Sequence, residues 1–192
     1  MRRLGRAGLL AALLVAAAAT SKAAPQIEVP AAPDLAAELV SRVVTAAEKL
    51  KVKNVISPEC GHAYMAIRWE GPNLIGRPYS FKVVHILEVL DELREQGRLK
   101  TTGKESQRLT YHDPCQIARN AGVMDEPRYI LGQLTTDFRE MTPDPKYNWC
   151  CGGGGGLVAL GEETLDFRMK SSRVKVDQVQ KTGAKVLATA CE

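Results

Sequence analysis

A chain of 192 residues, 45% hydrophobic and 25% charged, is long enough for one domain with a sizeable core and has the proportions of a globular protein. Its formal charge of +4 is local: of 26 basic residues, Arg2, Arg3, Arg6 and Lys22 fall in the first 24 positions, which hold no acid, and the other 22 match the 22 acidic residues. The body is therefore neutral and lacks the basic patch needed for nucleic acid or an anionic membrane surface, so no nucleic-acid partner is expected.

In chain order, Arg2, Arg3 and Arg6 precede the apolar run 7–19, and Ser21-Lys22-Ala23 offers a small-residue cleavage pattern, together the form of a secretory signal. The run is short for a bilayer span, which needs about 20 residues. A second reading makes residues 1–33 an adventitious segment from a misplaced start, ending in a linker marked by Pro25, Pro30 and Pro33. The domain is then residues 34–192.

Asp34 is placed to cap a helix to Leu50, with Leu35, Leu39, Val43 and Ala46 or Ala47 on one face. A short buried strand is expected at 52–56, a helix at 58–67 and a loop at 69–80. Residues 81–96 read as a helix, from the spacing of Val84, Leu87, Leu90 and Leu93 or Arg94, with Gly97 as its stop. A strand follows at 108–111, and Asp113-Pro114 opens a helix to Asn120. A helix at 127–133, a strand at 137–141 and a glycine-rich loop at 147–156 come next. The longest helix is expected at 162–181, with Leu165, Met169, Val176 and Val179 apolar and Gly183 ending it; a last strand covers 185–189. Alternating strands and helices predict an α/β fold, an open and mostly parallel sheet with flanking helices.

The five cysteines, Cys60, Cys115, Cys150, Cys151 and Cys191, each follow a predicted strand. In an open parallel sheet the carboxyl ends of the strands share one edge, and ligands bind there. The pattern thus predicts that thiols distant in sequence meet at one edge. Cys115 is expected in the first turn of a helix, whose free N–H groups favour a thiolate. The five glycines 152–156 let backbone N–H groups approach sulfur, and their ordering entropy must be offset, for which a bound cluster is a candidate.

Other readings compete. Cysteines can be small buried hydrophobes. Disulfides would suit a secreted chain, although Cys150 and Cys151 are adjacent and the count is odd. Four thiolates can also close a zinc site, but zinc ligands usually come in close Cys-x-x-Cys pairs, and none is intact here. His112 beside Cys115, and His62 beside Cys60, are candidate ligands or proton donors, more often hydrogen-bonded supports. His85 is expected to pack within its helix or face solvent, and Trp149 to shield the site from water.

His112-Asp113-Pro114-Cys115, Cys150-Cys151-Gly152 and Ala190-Cys191 resemble the cysteine-rich CCG module, in which a first cysteine is followed by Cys-Cys-Gly and a terminal Cys-x-x-Cys. The intervals of 34 residues from Cys115 to Cys150 and 39 from Cys151 to Cys191 are similar to those of the module. The family includes the catalytic subunit of heterodisulfide reductase and iron–sulfur subunits of glycerol-3-phosphate, glycolate and lactate oxidation. The stretch Ile56-Ser57-Pro58-Glu59-Cys60-Gly61-His62-Ala63-Tyr64, with Asn148-Trp149 before the paired cysteines, is most similar to the DsrK-like branch of sulfite-reduction membrane complexes.

This resemblance implies a non-cubane [4Fe–4S] cluster. It makes Cys115, Cys150, Cys151 and Cys191 ligands, with Cys60 less secure because Ser57 replaces the first cysteine of its pair, and Gly152 and Gly153 supporting them. Cys150, Cys151 and His112 are its expected catalytic group. It further implies electrons from a quinol-linked membrane complex passing to a disulfide-type substrate, a small protein among the candidates. The chain would then sit on the cytoplasmic side, held at the membrane by partner subunits. The alternative is an electron relay of the glycolate, lactate or glycerol-3-phosphate dehydrogenase type. The second cysteine of the terminal pair would fall two residues beyond Glu192, so the resemblance also implies a truncated C-terminal piece that is not necessarily active alone.

Overall fold

Apolar residues at three- and four-residue spacing make the first element a helix, but its neighbours choose which stripe is covered. The computed structural model describes residues 33–143 and 147–191; both readings of the leader, as signal or as adventitious start, lie outside them. Helix α1, Pro33–Lys49, begins at Pro33, a residue suited to a first turn, so Pro33 belongs to the helix rather than to a linker. It buries Val40, Val44 and Ala47 against Tyr64, Phe81 and Val83. Each buried valine contributes roughly 1.5–3 kcal/mol. The expected stripe of Leu35, Leu39 and Val43 is exposed, because the partner surface meets the helix one position around.

Strand β1, Asn54–Ser57, pairs in parallel with β2, Lys82–His85, from Asn54↔Lys82 to Ser57↔His85. Between them lie helix α2, Gly61–Met65, a π-turn at Ala66–Glu70 and helix α3, Gly71–Leu74, which occupies part of the expected 69–80 loop. The expected helix at 81–96 is two elements: β2, then α4, Ile86–Glu95. Phe81, Val83 and His85 alternate inward around exposed Lys82, the two-residue period of a strand. At His85 the ring accepts the Leu87 N–H and the Glu88 carboxylate accepts the His85 N–H, a capping box that starts the helix without a loop. Gly97, at φ +66, follows α4 as expected.

The second half is built on β3, Leu109–His112, buried throughout, as a strand covered on both faces must be. It pairs in parallel with β4, Val186–Thr189, from Leu109↔Val186 to His112↔Thr189. The strand expected at 137–141 is reduced to one parallel bridge, Leu109↔Phe138. Between β3 and β4 run helices α5, Glu126–Leu134, α6, Gly156–Ala159, a 3₁₀ turn at Gly161–Thr164, and α7, Leu165–Thr182, ended by Gly183 at φ +66.

The α/β class and parallel pairing are present. Instead of one open sheet, however, the described residues form two separate two-stranded sheets, β1–β2 and β3–β4. Each strand has only four residues, and a shared core replaces a continuous ladder: Ile117, Ala121 and Val123 pack with α1 and β2, and Ala190 touches both apolar clusters. Two further expectations are corrected. Residues 115–121 form hydrogen-bonded turns rather than an α-helix, so Cys115 has no helix dipole behind it. On α7, Leu165, Met169 and Val176 are exposed and Lys175 and Gln178 are buried, because the segments facing that helix are polar loops. No described helix is long and apolar enough to cross a membrane.

Candidate metal centre

Three of the five cysteines lie just beyond strand ends, three residues after β1 and β3 for Cys60 and Cys115, and two after β4 for Cys191, whereas Cys150 and Cys151 follow only the Leu109↔Phe138 bridge instead of the expected strand. Among the described residues the five form no disulfide with one another. Cys115, Cys150 and Cys151 line one cavity of about 260 Å³ with His62, His112 and the glycines Gly154–Gly156. Burial pushes the Cys115 thiol up, and the neighbouring Cys150 and Cys151 push it further, while the Gln116 N–H pulls it down. Cys191 is raised by burial and then by Cys60, Cys151 and Glu59, and lowered by the Gly61 N–H. Cys191 thereby links electrostatically to both Cys60 and Cys151. Among the described residues no three His, Cys, Asp or Glu side chains gather as closely as one metal ion requires.

Each thiol is set by backbone around it. Cys60 caps α2: its Sγ accepts the Ala63 N–H at 3.5 Å, and the Ser57 hydroxyl reaches its carbonyl at 3.5 Å. His85, completely buried, lies 3.3 Å from the Glu59 carbonyl and supports the same turn, a placement that differs from the expected solvent-facing or helix-packing role. Burial holds its pKa below the ordinary histidine value. The Gly152 N–H donates to Cys150 Sγ at 3.3 Å, and the Gly153 N–H donates to Cys151 Sγ at 3.4 Å. Gly152 is at φ +72, and an added Cβ would lie 2.8 Å from the Arg168 carbonyl oxygen of α7. Here glycine is required both by conformation and by close approach.

The segment before Cys115 is pinned by charge. Asp113, 3% exposed, receives both guanidinium branches of Arg128 at 2.5 and 2.6 Å, and Arg128 also binds Glu140 and the Met124 carbonyl. Burial works against the Arg128 charge, but Asp113 and Glu140 together hold its pKa above the ordinary range. His112 is buried, and its Nδ1 has no hydrogen-bond partner among the described residues. Burial first, and then the positive Lys175, lower its pKa to about 4 against the pull of Asp113. The ring is therefore neutral at ordinary pH. Trp149 is half exposed rather than a shield, and with Arg119, Tyr147 and Cys150 it lines a neighbouring cavity of about 770 Å³.

Asn148 is the site residue whose role sequence reasoning missed. Its amide donates to the Asp113 carbonyl, its own carbonyl accepts from Arg119, and its Oδ1 accepts from Lys175. It joins the Cys115 and Cys150 segments. The one signal for it was its place in the Asn-Trp-Cys-Cys-Gly stretch; Lys175 carried none beyond a polar stripe with Ser171, Ser172 and Gln178.

Residues 109–192 match the cysteine-rich CCG domain. The chain is 35% identical over 159 residues to a component of the dihydromethanophenazine:CoB–CoM heterodisulfide reductase of Methanosarcina barkeri, an alignment that covers 82% of this chain and 38% of that protein. It is 31% identical over 157 residues to the EtfAB:quinone oxidoreductase of Syntrophomonas wolfei, covering 80% of this chain and 21% of that one. An Hdr-like menaquinol oxidoreductase iron–sulfur subunit of Archaeoglobus fulgidus is 29% identical over 199 residues, covering 81% and 35%. The chain thus spans well under half the length of these relatives.

Proposed function

Because the chain belongs to the cysteine-rich CCG, heterodisulfide-reductase-like family, we propose that it is an iron–sulfur electron-transfer component of an oxidoreductase. The observation that carries this reading is the cavity lined by Cys115, Cys150 and Cys151. Its donor set is sulfur, with Cys191 coupled electrostatically to it through Cys151, and Cys60 coupled in turn to Cys191. The neighbouring sulfurs that help raise Cys115 and Cys191 in the metal-free protein become favourable neighbours once cations are held between them.

Cys115, Cys150, Cys151 and Cys191, with Cys60 as a fifth candidate, would hold the cluster. Once bound, it supplies one-electron transfer, and in a non-cubane [4Fe–4S] form an iron site for a disulfide sulfur. The Gly152 and Gly153 N–H groups donate to the paired sulfurs and stabilise their negative charge. His112, neutral above about pH 4, can accept or relay a proton at a ring nitrogen but carries no standing positive charge.

The disulfide-reducing role follows the Methanosarcina relative, whose name specifies a heterodisulfide. Partner subunits in a membrane complex, on its cytoplasmic side, complete the proposal. A second reading, electron relay without sulfur chemistry, is favoured by the EtfAB:quinone oxidoreductase relative. Anaerobic reconstitution of the full chain with iron and sulfide, followed by metal and sulfide analysis and electron paramagnetic resonance, tests the common part. Bound iron and sulfide are expected; a product holding zinc alone would end the proposal. Oxidation of the reduced protein by added disulfides separates the two readings, since only the first predicts it.

A further inference from the structure

Lysine is seldom covered completely, because its ammonium is strongly hydrated. Lys175, in the middle of α7, is 5% exposed. Its Nζ has three donors to place. One goes to Asn148 Oδ1, and another meets only the Met141 sulfur at 3.8 Å, a weak acceptor. A neutral donor would satisfy Asn148 at less desolvation cost, so the ammonium needs a counter-charge. Asp113 is already occupied by Arg128. Burial lowers the Lys175 pKa, whereas Asp113 first and then Cys151 and Cys150 raise it, and Arg119 lowers it; with Asp113 shared with Arg128, the two sulfurs are the further counter-charge that a bound centre would supply.

The surrounding geometry agrees. Helix α7 is the floor of the Cys-Cys-Gly turn, since an added Cβ on Gly152 would meet the Arg168 carbonyl at 2.8 Å and the Ser172 N at 3.4 Å. Lys175 lies one turn further along the same buried polar face, ahead of Gln178, whose amide donates to the Thr142 carbonyl at 3.2 Å. From there Lys175 reaches Asn148, two residues before Cys150, and Asn148 reaches the Asp113 carbonyl, two residues before Cys115. One ammonium thus ends a chain of bonds that crosses both thiol-bearing segments.

We propose that Lys175 is a positioning residue of the thiol centre: it clamps Asn148, and with it the Asp113–Cys115 and Asn148–Cys151 segments, to α7, and presents a buried positive charge to Cys150 and Cys151. That charge favours the reduced, more negative state of a centre held by those sulfurs and so raises its reduction potential. The potential part rests on the cluster reading above; the clamp does not.

The test uses the full 192-residue chain, wild type beside Lys175→Met and Lys175→Arg. Lys175→Gln, which keeps a donor without the charge, replaces the methionine variant if that does not fold. In the metal-free protein, hydrogen exchange at residues 147–153 is expected to quicken about tenfold in Lys175→Met and to be largely restored in Lys175→Arg. After reconstitution, the neutral variant is expected to favour the oxidised state about tenfold, a fall of about 59 mV for a one-electron couple, again with recovery in Lys175→Arg. Unchanged exchange in the methionine variant overturns the clamp, and an unchanged potential with full iron content overturns the charge; either result overturns the proposal as stated. If the wild type itself takes up no iron or sulfide, the cluster reading fails, and the exchange measurement still decides the role of Lys175.

Discussion

Replacing Gly152 with alanine measures how tightly the Cys-Cys-Gly turn is seated on α7. At φ +72, alanine would occupy the left-handed region, at a cost of about 1–2 kcal/mol. Its Cβ would also meet the Arg168 carbonyl oxygen at 2.8 Å, a backbone atom of a helix that cannot rotate away as a side chain can. The lower entropy of the unfolded variant returns roughly 0.4–1 kcal/mol. The loop must shift off the helix or the domain must carry the strain, and the net loss is about 2 kcal/mol. For a domain of this size that corresponds to a fall in Tm of about 4–8 °C. Gly154→Ala is the control: its added Cβ would meet nothing within 4 Å and its φ is unremarkable, so stability should change by less than about 1 kcal/mol. Thermal unfolding of both metal-free variants followed by circular dichroism reads the difference. Equal Tm values for the two would refute the seating of Gly152 on Arg168.

Three further outcomes are expected. His112 is held at about 4, below its ordinary 6.5, by burial and then by Lys175. Its contribution to stability, about 3 kcal/mol, is therefore fully present above pH 6.5 and lost as pH falls toward 4, where the unfolded chain takes up a proton that the folded one refuses. Urea unfolding at pH 7.5 and 4.5 should show this loss in the wild type and much less of it in His112→Asn; an identical pH dependence would count against the buried neutral ring. Arg128→Met strands the buried Asp113 carboxylate and should cost roughly 3–5 kcal/mol in urea unfolding, with part regained in Arg128→Met/Asp113→Asn; a loss below about 1 kcal/mol would contradict a buried pair. Cys115→Ser should lose most of the iron taken up on reconstitution and Cys60→Ser much less, because Cys115 lines the cavity and Cys60 reaches it through Cys191. Equal retention in the two would argue against that cavity as the site.

Elements with a single consistent signal were legible. Residues 108–111 and 185–189 read as strands and are strands within one residue, and Gly97 and Gly183 stand where helices stop. Conflicting local signals produced the errors. Residues 81–96 satisfy a helical spacing, but Val83 and Val84 pair with Val55 and Ile56, and the histidine cap at 85 divides the stretch. Two apolar stripes lie side by side on α1, and only the position of Tyr64, Phe81 and Val83 decides that the one with Val40 and Val44 is covered. On α7 the error was larger: the amphipathic pattern points Leu165, Met169 and Val176 inward, whereas the helix turns its polar side to the thiol loops.

The sequence by itself determined the donor chemistry: five thiols, the glycines that let N–H groups reach sulfur, and the strands ahead of Cys60, Cys115 and Cys191, all consequences of local residue type and spacing. Only the tertiary structure decided which long-range partners complete the site. Arg128 for Asp113, Asn148 between two loops and Lys175 beneath them are 15, 35 and 27 residues from their partners. A polar residue shows no periodicity that announces its mate, and whether its charge is solvated or buried depends on what the rest of the chain places over it.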